Sequence, residues 1–215
     1  MVEGVDWQTI ILIAVAVLSI ANGLSVLYNF FTDRPRVTVE PVQDDDWMIW
    51  SEIIDNRPAE PIRRYIMIGH LALRNEGRRA VSIADTTMKI KLRNMKTAES
   101  PLYAISPPEP DRSKATQRGF TVMKPVSDQY DRKPLIQPSE SIAGLHCFLY
   151  GMYGTEHWAP KTDGDAVEGL IELTGGFGKS YKSRLSFEKV PFDELAQRFP
   201  NLESFIMTNL DQASE

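Results

Sequence analysis

Only one cysteine, Cys147, occurs in 215 residues, so no internal disulfide can form and the disulfide frameworks of small secreted domains are excluded. The chain has no Asn-x-Ser/Thr acceptor either, so nothing in it marks a glycosylated exterior surface. Basic residues do not dominate. Twenty-four Lys plus Arg stand against 29 Asp plus Glu, a formal charge of −5, which removes the generic electrostatic case for nucleic-acid binding. Histidine is sparse: His70, His146 and His157 are the only three; neither His70 nor His146 has a second His, Cys or carboxylate at a spacing that would compose a metal shell, and His157 is expected exposed in a loop. His146 and Cys147 are neighbours, which on a strand point to opposite faces, so they form no dyad.

The longest absence is of charge. From Trp7 to Thr32 no Asp, Glu, Lys or Arg occurs, and Ile10 to Leu18 is an unbroken apolar run. About 20 such residues in a helix span the ~30 Å hydrocarbon core of a bilayer. Trp7 at one end and Tyr28, Phe30 and Phe31 at the other fall where interfacial aromatic belts form. The stretch therefore predicts a single transmembrane helix over residues 9–31, after a short tail of residues 1–8. A cleaved signal peptide, with Ser19-Ile20-Ala21 as its small-residue site, is the alternative. Residues 1–6 carry Glu3 and Asp6 but no Lys or Arg, whereas a signal peptide wants a basic start. Arg34 and Arg36 just after the span predict that the following domain stays cytoplasmic, in a bacterial inner membrane by its style of architecture. Within the span Asn22, Ser25 and Asn29 fall at i, i+3 and i+7, a polar stripe able to pack against another membrane helix.

Residues 32–190 read as one mainly β domain. In Thr87 to Arg93 the apolar Met88, Ile90 and Leu92 alternate with Lys89, Lys91 and Arg93, the period-2 signature of a strand with one wet face. Val37 and Val39 alternate similarly, as do the residues from Tyr181 to Phe187. Richer apolar runs at Tyr65–Leu73, Ile142–Tyr150 and Val167–Leu173 predict strands buried on both faces. Shorter candidates lie at Trp47–Ile53, Ala80–Ile83 and Gly119–Lys124. Trp47 and Trp50, three apart, should face opposite sides, leaving one exposed for a partner. Residues 101–138 hold seven prolines and predict a long insertion. Residues 191–215 predict a short helix and tail: Phe192, Leu195, Ala196 and Phe199 share a face behind Pro191, which would cap the open end of the domain.

Strands with short turns and no intervening helices favour an antiparallel sandwich. At Leu71-Ala72-Leu73-Arg74-Asn75-Glu76-Gly77-Arg78-Arg79-Ala80-Val81-Ser82-Ile83 the chain resembles the strand, Asn-x-Gly turn, strand unit of bacterial immunoglobulin-like sandwich modules. That resemblance implies an immunoglobulin-like β-sandwich that binds or spaces rather than catalyses.

Motifs for chemistry are incomplete. Gly175-Gly176-Phe177-Gly178-Lys179-Ser180 ends like a phosphate-binding loop, but Leu173 stands where the first Gly belongs and a strand pattern follows, so a hairpin turn is expected. Asp44-Asp45-Asp46 and Asp163-Gly164-Asp165 lack the spaced ligands of a calcium loop. Ser139 and Ser141 lack a nucleophile elbow. Arg63, Arg64, Arg74, Arg78 and Arg79 form the densest basic zone, a candidate contact for anionic headgroups or a partner. The expected function is non-enzymatic: a single-pass membrane protein presenting its domain to another protein, with no cofactor and no nucleic acid. The alternatives are an accessory subunit assembled through the membrane helix, and an enzyme whose site is built from distant residues.

Overall fold

The computed structural model describes residues 6–42, 47–55, 62–93, 99–111, 135–153, 159–176 and 178–206. Helix α1 (Trp7–Thr32) opens with Asp6, whose side chain accepts from the Gln8 N–H at 3.1 Å and the Thr9 hydroxyl at 3.2 Å. It is the one helix among the described residues long and apolar enough to cross a membrane, and no part of it is buried against the protein.

Ten strands follow among the described residues: β1 (Val37–Pro41), β2 (Ile49–Asp55), β3 (Ile62–Asn75), β4 (Val81–Lys91), β5 (Glu99–Ile105), β6 (Leu135–Ile136), β7 (Ser141–Tyr153), β8 (Thr162–Asp163), β9 (Ala166–Gly175) and β10 (Ser180–Lys189). Pairing runs β4-β5-β7-β3-β2-β10-β9 and returns to β4, so the sheet closes on itself. All contacts in this ring are antiparallel except a short parallel junction, Glu188↔Ile49 and Lys189↔Trp50. The result is mainly β, as expected. It is barrel-like, however, and lacks the two separate sheets of the immunoglobulin-like sandwich; the reason is that β4 pairs along one edge with β5 and along the other with β9.

Strand β3 organises the barrel. One edge pairs with β7 throughout; the other pairs with β2 over Ile62–Ile68 and then with β1 over Leu71–Asn75. Its alternate residues Tyr65, Met67, Leu71 and Leu73 enter the barrel interior, while Ile66 and Ile68 face outward into a second apolar cluster. A strand covered on both sides needs a nearly continuous apolar run, which is what the sequence supplies. The cover on the outer side is helix α2 (Phe192–Arg198) with the helical residues 202–206. Leu195, Phe199, Leu202 and Ile206 are each no more than 2 % exposed there, against Ile49, Ile66, Ile68, Leu145 and Cys147. Each such burial is worth about 1.5–3 kcal/mol. The C-terminal segment thus covers a flank of the barrel, not its open end: the outward residues of β2, β3 and β7 are apolar and demand cover.

The two segments expected as separate strands at Ala80–Ile83 and Thr87–Arg93 are one strand, β4. A bulge between Ile83 and Asp85 shifts the phase, so Val81 and Ile83 point inward on odd numbers and Met88 and Ile90 on even ones. Trp47 and Trp50 do face opposite sides, but both are buried, at 5 % and 3 % exposed, because each side of this wall is covered. Strands β9 and β10 pair as the expected antiparallel hairpin, with Gly178 at φ 74° and its N–H donating to the Gly175 carbonyl at 2.8 Å. The expected strand at Gly119–Lys124, the Asp44–Asp46 run and His157 lie outside the described residues.

Candidate functional site

The fourteen residues of β3 run the length of the barrel, and this divides the basic zone. Arg63 and Arg64 lie at the start of the strand and Arg74 near its end, roughly 35 Å away at ~3.3 Å per residue. Arg78 and Arg79 belong to the Arg74 end.

At that end the β3–β4 turn is seated on the linker leaving α1. Asn75 is fully buried; its amide donates to the Arg79 carbonyl (2.7 Å) and the Ile136 carbonyl (3.0 Å), and its oxygen accepts from Gly77 N–H (3.0 Å). This Asx-type closure holds the turn. Glu76 N–H donates to the Arg36 carbonyl at 2.8 Å, and the Lys179 ammonium to the Pro35 carbonyl at 2.8 Å. Gly77 lies so near the linker that an added Cβ would come within 2.5 Å of the Arg34 oxygen and the Arg36 nitrogen. Arg79 pairs with Asp33 at 2.8 Å. The helix exit is therefore braced by the barrel rather than tethered loosely to it. Between them opens a cavity of about 490 Å³, lined by Phe31, Arg34, Arg36, Glu76, Arg78 and Lys179 among others.

The opposite end carries a smaller cleft of about 230 Å³. Trp50 and Tyr65 form its apolar wall, with ring centroids 6.3 Å apart, and Tyr65 stacks on Tyr150 at 6.0 Å. Glu52 accepts from the Tyr65 hydroxyl at 3.1 Å and from Arg63 at 3.2 Å. Burial first, then the Glu52 charge, pushes the Tyr65 hydroxyl far above its ordinary range, so it stays protonated. Trp50 Nε1 donates to the Asp165 carbonyl at 2.9 Å, and the Lys189 ammonium sits 5.3 Å over the Trp50 ring. Arg93 completes the rim.

Of the anticipated residues, Arg63 belongs to the cleft, Arg78 lines the larger cavity, and Arg74 is exposed at the same end. Arg64 is buried, 6 % exposed, at the cleft end of β3. Asn22, Ser25 and Asn29 are all exposed on α1, and Gly23 among them has nothing within 4 Å of an added Cβ. Trp50, Glu52, Tyr65, Arg93 and Lys189 were not anticipated as a group. They come from four different stretches: the pairing Glu52↔Tyr65 and the β2–β10 junction bring Trp50, Glu52, Tyr65 and Lys189 together, and Arg93 is tied to the rim by its N–H to the Ala159 carbonyl at 2.8 Å. His146 sits inside the barrel on the face of Phe148, its Nε2 without a hydrogen-bond partner; burial, helped by nearby His70, lowers it to about 4. No group of three or more metal-ligating side chains occurs among the described residues.

No protein-family model matches the chain, and no curated protein does. Ten chains of solved structures align, two of which illustrate how low the similarity is. A structural-genomics target, SoR45, is 11 % identical with a TM-score of 0.32, over 73 % of this chain and 88 % of its own. A putative ApaA protein from Bordetella pertussis is 9 % identical with a TM-score of 0.29, over 74 % of this chain and 97 % of its own.

Proposed function

We propose that the chain is a non-enzymatic, single-pass membrane protein that holds a β-barrel domain against the bilayer and offers the barrel's far end to another protein. The observation that carries this reading is the contrast at the helix exit: α1 is exposed from Trp7 to Phe31, while the linker after it is fixed onto the barrel by Asn75, Glu76, Gly77 and Lys179. An exposed apolar helix of this length finds its cover in lipid. A cleaved leader, the competing account, wants a basic start, whereas residues 1–6 carry Glu3 and Asp6 and no Lys or Arg. Arg34 and Arg36 support a cytoplasmic barrel, in a bacterial inner membrane.

The far cleft suits reception better than acid–base chemistry. Its carboxylate, Glu52, is occupied by Tyr65 and Arg63, and its phenol is held protonated. Arg63, Arg93 and Lys189 outnumber Glu52 and Asp165 on the lining, which favours an acidic segment of the partner. A photoreactive residue at Lys189 in the full chain tests this in cells. A discrete protein adduct from Lys189, lost on Arg63→Glu, supports the reading; adducts only from a probe at Asn22 support the accessory-subunit alternative instead. In that alternative Asn22→Leu with Ser25→Leu abolishes assembly.

A further inference from the structure

We infer that the cavity between the exit of α1 and the β3–β4 turn binds the phosphate headgroup of an anionic phospholipid, an inference that rests on α1 being a membrane span. Twenty-six helical residues at ~1.5 Å each reach about 39 Å, beyond a ~30 Å hydrocarbon core, so the end of α1 emerges at headgroup depth. Tyr28, Phe30 and Phe31 lie at that end, and the Arg34 guanidinium stands 5.5 Å from the Phe30 ring centroid and 5.0 Å from that of Phe31. Its charge is thereby held at the rim where lipid phosphates lie.

The cavity that begins there is lined by four cations, Arg34, Arg36, Arg78 and Lys179, and one carboxylate, Glu76. Arg36 and Arg78 hold no carboxylate partner among the described residues, whereas the neighbouring Arg79 is taken by Asp33. The walls are rigid for physical reasons already given: Gly77 packs against the linker backbone, and Lys179 donates to the Pro35 carbonyl. Preorganised cations of one sign select a net negative headgroup; a zwitterionic one would bring its own ammonium into the same field. The exposed apolar surface of α1 gives the acyl chains a place to lie, which a free phosphate ion does not use.

The test uses the full chain purified from membranes in mild detergent, with its intact mass read first. Absence of residues 1–21 or more from that mass would remove the span, and the inference with it. With the helix present, native mass spectrometry is run with added phosphatidylglycerol or phosphatidylcholine. About one phosphatidylglycerol should be retained per chain, with a preference of about fivefold or more over phosphatidylcholine. Arg78→Gln with Lys179→Gln should lower that retention about tenfold, while Arg78→Lys with Lys179→Arg should preserve it. Arg63→Gln with Arg93→Gln, at the far end, should leave it unchanged. Equal retention of the two lipids would overturn the inference, as would an equal loss from the far-end pair. Complete displacement by millimolar inorganic phosphate would reassign the cavity to free phosphate and overturn it too.

Discussion

The two ends of β3 carry similar residues and use them in opposite ways. At the Arg74 end a single buried amide, Asn75, a glycine pressed on backbone and the Lys179 ammonium lock the linker, and Arg34, Arg36 and Arg78 line the cavity beside that frame. At the Arg63 end the charges turn inward, onto Glu52, Tyr65 and the ring of Trp50. The difference teaches that the same β-strand chemistry yields a brace where the polar group satisfies main chain, and a receptive cleft where side chains satisfy one another.

The brace should break first and hardest. Asn75→Ala leaves the Arg79 and Ile136 carbonyls and the Gly77 N–H without their partner, and should cost roughly 3 kcal/mol in thermal or denaturant unfolding of the solubilised chain. Gly77→Val should do at least as much, because its Cβ meets backbone that cannot swing aside. An Asn75→Ala protein of unchanged stability would show that the turn does not depend on this amide.

Between the ends lies His146. The folded imidazole stays neutral down to about 4, whereas the unfolded chain takes up its proton near 6.5. Across that interval the unfolded state binds more protons, so stability falls as pH drops from 6.5 to 4, by about 3 kcal/mol. His146→Leu should flatten this part of the stability profile; a profile of unchanged slope would place the titration elsewhere.

The cleft should respond less. Glu52→Gln removes the charge that Arg63 and Tyr65 share, on side chains about one-fifth exposed, and should cost roughly 1–2 kcal/mol while strengthening the adduct formed from Lys189, because Arg63 is freed for an acidic partner. Least of all should follow from Arg79→Ala: that ion pair is exposed, and its loss should stay within about 0.5 kcal/mol in the same unfolding assay.

Much of this fold was legible from periodicity. The long runs that became β3 and β7 were readable because burial on both faces imposes unbroken apolar sequence, and the turn Asn75-Glu76-Gly77 because its amide and glycine are what the turn demands. Strand β9, expected to be covered on both faces, alternates instead: Val167, Ile171 and Leu173 enter the barrel, while Glu168 and Glu172 lie on the other face. Ring closure was not legible. It depends on which edges meet, and the same alternation serves a sandwich or a barrel. The bulge after Ile83 hid the unity of β4 by reversing its phase. Of the site, the basic residues were visible but not their separation, which follows only once β3 is known to be one uninterrupted strand. Trp50 and Lys189 could not be joined on paper, since the parallel β2–β10 junction that unites them spans two residue pairs.

The central claim is that the Arg74 end of the barrel lies at the membrane and the cleft end away from it. Cys147 is buried, so a thiol-reactive fluorophore can be directed to Arg78→Cys or to Asp163→Cys in the full chain. With the protein reconstituted in bilayers whose headgroups carry a nitroxide quencher, fluorescence at position 78 should be strongly quenched and that at position 163 little affected. Equal quenching at the two positions, or none at either, would contradict the account.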